Sequence, residues 1–409
     1  MPVAIPKLTI RHTFRALRFP NYRLWFQGQL ASLIGTFMQA TAQGFLVFEM
    51  TRSPAYLGYV GFANGVPSWI FMLYGGVISD RMPRRTLLMA TQAYMMTLAI
   101  ITATLTLTGV IQPWHVIVMA FLLGIGHAFD APARHAFVYE LVPREHLANA
   151  IAMNSTLFNM ATMLGPALGG VLYTIIGPGG CFALNAISYL AVMIALKKMT
   201  LPVVKPPART VSAMKAIGEG LRYIRSEPVI LSLIGITWIV SFFCMSYLTL
   251  IPAWAVNVIG GNAETNGWLQ SARGAGALLG ALIIASLNPT ASRGICISGA
   301  LIAVPCLLIL FASTGWLPLA LITLLGTGLG IITIFNLVNA SIQDRVDDAF
   351  RGRVMSVYSL VFFGSLPIGA LLTGAVAEWA GEPIAIMSNA AVALIFGLVL
   401  WFMKPDLRR

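Results

Sequence analysis

The chain has 409 residues, of which 58% are hydrophobic and 10% are charged, and its 26 Lys and Arg outnumber its 14 Asp and Glu. A soluble domain carries roughly 25% charged residues, so this composition excludes a water-soluble globular protein. The net charge of +12 would indicate nucleic-acid binding in a soluble protein, but here the basic residues lie in short gaps between apolar segments. They therefore indicate how the chain is oriented in a membrane, and we expect no nucleic-acid partner.

The first half of the chain alternates long apolar segments with short polar turns. Residues 1–23 carry basic residues and no acid, which predicts a cytoplasmic arm. Residues 24–198 then contain six apolar segments, each near the roughly 20 residues that a helix needs to cross a bilayer. These segments run from Leu24 to Phe48, Tyr56 to Ile78, Leu87 to Thr108, His115 to Phe137, Asn149 to Ile176 and Cys181 to Lys198.

The second half repeats this organisation after a polar linker, residues 199–228. Apolar residues recur at helical spacing from Val211 to Arg225, which predicts an amphipathic helix on the cytoplasmic surface. Six more apolar segments occupy residues 229–403, and residues 404–409 form a basic tail. Their bounds are Val229 to Val256, Gly267 to Leu287, Gly294 to Ser313, Leu317 to Gln343, Val354 to Ala380 and Ile384 to Met403.

These segments predict an all-α membrane protein of about twelve transmembrane helices. Nearly all Lys and Arg fall in the segments on one side, so we expect both termini in the cytoplasm and the chain in the cell membrane. One offset of 204 residues relates the two halves, which predicts two pseudo-symmetric six-helix bundles. The offset relates Gly76 to Gly280, Gly124 to Gly328 and Gly165 to Gly369.

A charged hairpin, GVISDRMPRR, joins the second and third segments. It contains Gly76, Asp80, Arg81, Arg84 and Arg85. Asp80 can accept hydrogen bonds from arginines or from a neighbouring helix N-terminus, so it could form a latch that breaks when the halves rock. Alternatively, the arginines only fix the topology. The second copy of the hairpin has Ile284 in place of the acid and only Arg293 nearby, so we predict an asymmetric gate that is concentrated in the first half.

Charged residues also lie inside or beside the fourth segment. His127, Asp130 and Arg134 are spaced three and four apart, so they share one face of a helix, and Glu140 follows near its cytoplasmic end. Ionisable groups inside a membrane are costly and are functional candidates. Asp130 and Arg134 could form a structural pair that contacts the hairpin or act as a gate, and proton transfer by Asp130 is a further alternative.

A second group of candidates concerns substrate and proton movement. Arg273 is expected about two turns inside the eighth segment, near the outer side, where it could pair with Glu49 or Glu378 or attract an anionic substrate. Glu49 could be a proton site or an ordinary outer-loop acid. Polar residues in other spans are modest pathway candidates with His127, namely Asn154, Asn336 and Asn339.

Glycines and a proline mark the fifth segment. Gly165, Pro166, Gly169 and Gly170 allow a close approach of helices and a kink. Tight packing between the halves is one interpretation, and it is compatible with a role in antiport.

The chain resembles the major facilitator superfamily over nearly its whole length. The hairpin matches that family's loop signature, with Pro83 where the family usually has glycine. The stretches FPNYRLWFQGQLASLIGTFMQ, LLGIGHAFDAPARHAFVYELVP and CFALNAISYL resemble the drug-proton antiporter branch that contains macrolide efflux proteins and enterobactin exporters. GPALGG is similar to the C-terminal part of the fifth-span antiporter signature.

This resemblance implies alternating access and export of an amphipathic small molecule of drug, macrolide or siderophore type. It also implies a proton gradient as the energy source, without a cofactor, in a monomer embedded in the lipid bilayer. Uptake by the same fold, a polytopic receptor and an intramembrane enzyme are the alternatives. The sequence contains no Walker motif, which argues against transport driven by ATP. It also contains no HExxH motif and no cysteine spacing typical of a metal site, which argues against a metal site and against an enzyme.

We predict that Asp80→Asn abolishes transport, because the amide removes the charge that a latch needs. The variant should remain in the membrane at the wild-type level, as measured by immunoblot, while transport falls to background. Normal transport by this variant would refute the latch.

Overall fold

The computed structural model describes residues 15–200, 213–286 and 293–403 and, within these ranges, all side chains except those of residues 72, 73, 75–77, 79–81, 213–216 and 285–286. The predicted terminal arm before residue 15, the tail 404–409 and the linker residues 201–212 lie outside the described part of the chain.

Five long helices build the first half. Three of them, α1, α2 and α4, begin with a proline at the first helical position. The fixed φ of proline suits the helix there, and its lack of an N–H costs no hydrogen bond, because the first N–H groups of a helix have no partner within it. Because Pro20 takes this position, the first helix starts four residues before the predicted Leu24. The helices are α1 (Pro20–Thr51), α2 (Pro54–Arg81), α3 (Arg84–Leu107), α4 (Pro113–Leu141) and α5 (Leu147–Lys198).

The helix α5 contains two crossings of the membrane. Gly177 interrupts it with φ 70° and ψ 173°, a backbone conformation that glycine adopts without a Cβ clash. The break lies in the GPGG sequence that predicts a turn, so the fifth and sixth spans meet there.

The second half begins with the linker helix α6, Ala213–Ser226, which lies in the stretch where the sequence predicts an amphipathic helix. Seven further helices follow, with the seventh span divided between α7 and α8. They are α7 (Pro228–Ile239), α8 (Ile251–Asn257), α9 (Ala263–Ser286), α10 (Arg293–Ala312), α11 (Leu317–Arg345), α12 (Asp348–Ala380) and α13 (Glu382–Met403).

The seventh span is not the continuous α-helix that its hydropathy predicts. Between α7 and α8 the backbone forms a π-helical turn, Val240–Cys244, and a 3-10 turn, Ser246–Leu250. Pro252 explains the restart, because proline cannot donate the backbone bond of a continuing helix and its ring clashes with the preceding turn. The span therefore changes its helical geometry near its middle.

The twelve predicted crossings are present. In the described ranges, nine helical segments are long and apolar enough to cross a membrane. One of them contains both crossings of α5, and the 28-residue α2 and 24-residue α9 cross as well. The chain is thus an all-α protein of two six-helix bundles. Its turns at residues 82–83, 142–146 and 346–347 share one face, here called the hairpin face, and the other turns lie on the opposite face.

Each half has its own apolar core. Residues from α6 to α13 form one continuous buried cluster in the second half, centred on side chains such as Tyr247, Trp254 and Phe311. Separate clusters in the first half surround Trp25 and Phe137, and Met95 and Tyr189. The halves therefore do not depend on a shared core for most of their buried apolar surface.

The halves meet through glycines near the opposite face. A Cβ atom placed on Gly170 of α5 would lie 2.6 Å from the Ala263 carbonyl oxygen and 3.0 Å from the Cα of Gly267. A Cβ atom on Gly374 of α12 would lie 2.9 Å from the Cα of Gly58. Residue 374 follows residue 170 by 204 positions, so these two glycines are equivalent in the repeat, and only glycine permits the observed separation of the helices.

The linker helix α6 is bound to the second half. Glu219 pairs with Arg353 of α12 at 3.0 Å, and the Tyr223 ring stacks on Phe350 at a centroid distance of 4.8 Å. The helix therefore moves with α12 when the halves move relative to each other.

We expect Gly170→Val and Gly374→Val to prevent the halves from meeting at the opposite face, since overpacking typically costs about 1–3 kcal/mol. A cross-link formed by a short bis-methanethiosulfonate reagent between Ser53→Cys and Glu378→Cys reports this contact, because the Ser53 hydroxyl lies 2.6 Å from the Glu378 carboxylate. Its formation should fall on the order of tenfold in either valine variant. The readout is whether the halves stay linked after cleavage at a protease site inserted in residues 201–212.

The matched control is Gly299→Val on α10, where an added Cβ meets nothing within 4 Å. It should leave cross-link formation unchanged. An equal loss in all three valine variants would show that the effect is not specific to the contact between the halves.

Candidate functional site

The hairpin is a two-residue turn between α2 and α3. The helix α2 ends at Arg81 and α3 begins at Arg84, since Pro83 disfavours helical geometry at Met82, whose ψ is 151°. The side chains of Asp80 and Arg81 lie outside the described part of the chain, so the Asp80 latch stays a prediction, as does the role of Gly76.

Two arginines of the hairpin bind neighbouring helices of the first half. Arg84 Nη1 donates to Glu140 Oε1 at 2.7 Å, which ties the start of α3 to the end of α4. Arg85 Nη2 donates to the Lys197 carbonyl at 3.0 Å, and a cation at a helix C-terminus also complements the helix dipole. These arginines therefore do more than set topology, because they hold the hairpin against both neighbours.

Asp130 is a buried carboxylate inside the first half, with 3% of the residue exposed. Its Oδ1 accepts hydrogen bonds from Thr91 Oγ1 at 3.0 Å and Gln92 Nε2 at 2.9 Å. Its Oδ2 lies 3.9 Å from Arg134 Nε, so the expected i,i+4 contact forms. Sequence reasoning missed Thr91 and Gln92, although adjacent polar residues inside an apolar span were the available signal.

The second half contains an equivalent ion pair. Arg293, at the start of α10, pairs with Asp344 near the end of α11, just as Arg84 at the start of α3 pairs with Glu140 at the end of α4. Asp344 follows Glu140 by 204 positions. The acid has kept its place in the repeat while its basic partner has moved within the loop, so an ion pair occurs here in both halves. A gating role of either pair stays a prediction.

The GPALGG segment of α5 contacts both halves. Gly165 and Gly169 face α1, where added Cβ atoms would lie 2.5 Å from Phe37 Cβ and 2.9 Å from the Met38 carbonyl oxygen. Gly170 and the Pro166 carbonyl instead face α9. The segment thus fits α5 against its own bundle on one face and against the other bundle on another.

Two acids predicted as partners of Arg273 bind elsewhere. Glu49 accepts a hydrogen bond from the Tyr173 hydroxyl at 2.5 Å. Glu378 accepts from Ser53 Oγ at 2.6 Å and from the Ala55 amide at 3.1 Å. The expected pairing of Arg273 with either acid is therefore wrong.

A cavity of about 430 Å³ opens beside Glu49 between the two halves. Arg52, Tyr173 and Asn262 also line it. The cavity at the opposite face therefore presents the negative charge of Glu49 and the positive charge of Arg52 between apolar walls.

Arg273 lies deeper in the membrane than the sequence predicts. The helix α9 starts at Ala263 because Asn262 Oδ1 accepts hydrogen bonds from the amides of Glu264 and Thr265, as an N-cap does. Arg273 follows ten residues later, so it is about 15 Å from the helix start. In a hydrocarbon core about 30 Å thick, this position is near the middle.

The remaining candidates are dispersed. Asn336 is exposed on α11, and Asn339, one turn nearer the hairpin face, accepts a hydrogen bond from Gln343 at 2.5 Å. Asn154 and His127 are partly buried on α5 and α4. In the part of the chain that the structure describes, no three His, Cys, Asp or Glu side chains gather as they would around a metal ion.

Comparison with known proteins identifies the family. The family model described as a transmembrane secretion effector matches residues 12–407. The chain belongs to this family of major facilitator transporters. It is therefore a multi-pass membrane transporter and not an enzyme, and the resemblance inferred from the hairpin and the other motifs is confirmed.

Characterised relatives of this transporter include efflux proteins. It is 26% identical to the multidrug efflux pump Tap of Mycolicibacterium fortuitum, over 89% of this chain and 90% of Tap. It is 21% identical to macrolide efflux protein A of Streptococcus pyogenes, covering 88% and 90% of the two chains. It is 23% identical to the enterobactin exporter EntS of Shigella flexneri, covering 95% and 93%.

A solved structure supports the same fold. A bacterial homologue of the human lysosomal transporter Spinster, in an inward-facing and unoccupied conformation, superposes with a TM-score of 0.73. The sequences are 15% identical, and the match covers 96% of this chain and 97% of that chain.

We predict that Asp130→Asn destabilises the transporter, because the amide oxygen can still accept from Thr91 and Gln92 but the new NH2 group takes the place of Oδ2 and leaves Arg134 beside a donor and without an anion. Leaving buried polar groups unsatisfied costs about 1–3 kcal/mol. The thermal unfolding midpoint in detergent should fall by several degrees.

Asp348→Asn is the matched control. This aspartate also pairs with an arginine on its own helix, Arg351, but its side chain is 88% exposed. Exposed pairs contribute little to stability, so its midpoint should stay at the wild-type value. Equal effects of the two substitutions would contradict a special role of the buried Asp130 network.

Proposed function

We propose that the transporter exports an amphipathic small molecule from the cytoplasm by alternating access and is driven by proton entry. In this proposal it acts as a monomer in the cell membrane, needs no cofactor, and has both termini and the hairpin face on the cytoplasmic side.

One observation carries the proposal: the contacts that join the halves lie on one side of the membrane. In the described ranges, the hydrogen bonds between halves join Ser53 and Ala55 to Glu378, Thr41 to Gln270, and Ser271 to the Met163 carbonyl. All of these lie at the opposite face or near the midplane, together with the glycine contacts.

At the hairpin face, the ion pairs join helices within one half. Arg84 pairs with Glu140 in the first half, and Arg293 pairs with Asp344 in the second. This pattern supports a conformation that is closed at the opposite face and able to take up a molecule from the hairpin face. Export then requires the opposite-face contacts to separate while the hairpin-face ends approach each other.

The relatives support the direction of transport. Tap is named a multidrug efflux pump, and the others are named a macrolide efflux protein and an enterobactin exporter. Their common feature is the outward movement of organic molecules, and their differing substrates support no single compound for this chain.

Glu49 is the residue that we propose for proton entry. It is exposed, lines the cavity at the opposite face and bonds to Tyr173, which belongs to the helix that carries the GPALGG segment. A proton bound by Glu49 would weaken a charge-assisted hydrogen bond next to the contact between the halves, which couples protonation to their separation.

Inverted membrane vesicles test this function, because their outer surface is the proposed cytoplasmic face. We expect respiring vesicles to accumulate the dye Hoechst 33342, and nigericin, which collapses the pH gradient, to abolish accumulation. Glu49→Gln should lower the gradient-driven rate at least about tenfold, because a glutamine cannot take up the proton.

Glu264→Gln is the control, since Glu264 is an exposed acid at the same face. It should transport at the wild-type rate. Accumulation that persists with nigericin would refute proton drive, and accumulation by right-side-out vesicles alone would favour uptake over export.

A further inference from the structure

Arg273 is a positive charge near the middle of the membrane whose charge is not balanced by a nearby acid. Among the residues that the structure describes, no carboxylate lies within ion-pair distance of its guanidinium, and its buried Nε has no hydrogen-bond partner. The residue is partly exposed, so part of the side chain reaches open space. Placing an arginine at this depth in the membrane costs free energy, so ionisable residues here are functional candidates. Binding a ligand would explain why this one is present.

Two polar side chains precede Arg273 on the same face of α9. Asn266 and Gln270 stand seven and three residues before it, which is helical spacing. Gln270 Nε2 donates to Asn266 Oδ1 at 2.9 Å, so the Asn266 oxygen is already bonded. The Asn266 Nδ2 donor is buried, in a residue with 0% exposure, and has no partner.

The broken seventh span supplies another unused polar group. Tyr247 lies in the 3-10 turn between α7 and α8 and is 1% exposed. Its hydroxyl has no hydrogen-bond partner, and it lies within the electrostatic range of the Arg273 guanidinium. Tyr247, Asn266, Gln270 and Arg273 are here called the Arg273 cluster.

The repeat shows that the fold does not require these polar groups. Counting back 204 residues, the positions of Asn266, Gln270 and Arg273 correspond to Phe62, Val66 and Trp69 of α2. Phe62, Val66 and Trp69 occupy the same part of the first bundle, and none of them is charged. The Arg273 cluster is therefore specific to the second half.

We propose that the Arg273 cluster binds an anionic oxygen group, such as a carboxylate or sulfonate, on the molecule that is transported. Guanidinium, amide and hydroxyl donors match the lone pairs of an oxyanion, and a charged acceptor satisfies several donors together. The Thr41 hydroxyl of α1 lies 3.4 Å from Gln270 Oε1, so the cluster borders the first half at the depth where transporters of this architecture bind substrate.

An anionic oxygen group could come from a lipid headgroup or from a free organic anion, and the depth of the cluster distinguishes these two sources. Lipid phosphates lie at the membrane surface, about 15 Å from the midplane, so a free organic anion and not a lipid headgroup is the expected ligand. The inference rests on the proposed transport of a small molecule, but it does not depend on direction or on proton drive.

Binding of two dyes to the purified full-length protein in dodecyl maltoside tests the proposal. Fluorescein and rhodamine 123 share one ring system, but fluorescein carries a carboxylate and is anionic at pH 8, whereas the carboxyl group of rhodamine 123 is a methyl ester and the dye has no anionic group. Fluorescence anisotropy should show that the wild type binds fluorescein at least about tenfold more tightly. Arg273→Gln should remove this preference without weakening the binding of rhodamine 123, and Arg273→Lys should retain part of it.

Controls separate charge recognition from folding. Arg351→Gln removes an exposed arginine and should bind both dyes as the wild type does. Tyr247→Phe and Asn266→Ala should each weaken fluorescein binding about threefold or more, and they carry the test if Arg273→Gln does not elute as a single species. Phosphatidylglycerol added to the micelles should not displace fluorescein, and displacement would assign the cluster to lipid.

Equal binding of the two dyes by the wild type would overturn the proposal, as would unchanged fluorescein binding by folded Arg273→Gln. Because no gradient is present, these results do not depend on the vesicle experiment. Gradient-driven dye accumulation together with no anion preference would leave the exporter intact and refute only the Arg273 cluster.

Discussion

The lack of water in the bilayer core is the constraint on which the rest of this structure depends. A polar group inside the core must find its partner within the protein, because lipid tails offer none. Asp130 meets this requirement through Thr91, Gln92 and Arg134, which come from two helices of one bundle. Arg273 does not meet it within the described residues, and this contrast separates a group that stabilises a bundle from one that is available to a ligand.

The same constraint shapes the surface between the halves. Helices in a membrane gain little from burying apolar groups against each other, so close packing must hold the contact. Glycines provide it, with Gly170 against Gly267 and Gly374 against Gly58, and Gly170 and Gly374 are equivalent positions of the repeat. Such a surface has few directional bonds to break, whereas each bundle keeps its ion pairs and its own core. The halves can therefore separate as rigid bodies.

The sequence predicted the architecture because hydropathy and basic turns report it directly, and the 204-residue offset linked the halves. It also grouped Arg84 with Glu140 as gating candidates, and the two side chains form an ion pair because the loop lies beside the end of a neighbouring helix. It failed where a partner is distant along the chain or shifted in register. The bonds from Ser53 to Glu378 and from Arg293 to Asp344 are of this kind, and so is the depth of Arg273, which the Asn262 cap sets.

The glycine surface also has a consequence for how the protein is made. The first bundle enters the membrane before the second is synthesised, so the faces of α2 and α5 that carry Gly58 and Gly170 first meet lipid. A glycine face is apolar and its backbone bonds are closed within the helix, so contact with lipid leaves no polar group unsatisfied. A surface built from ion pairs would instead expose unpaired charges to the lipid tails until the second bundle was inserted. The interface that lets the halves separate during transport is thus also one that tolerates assembly in two stages.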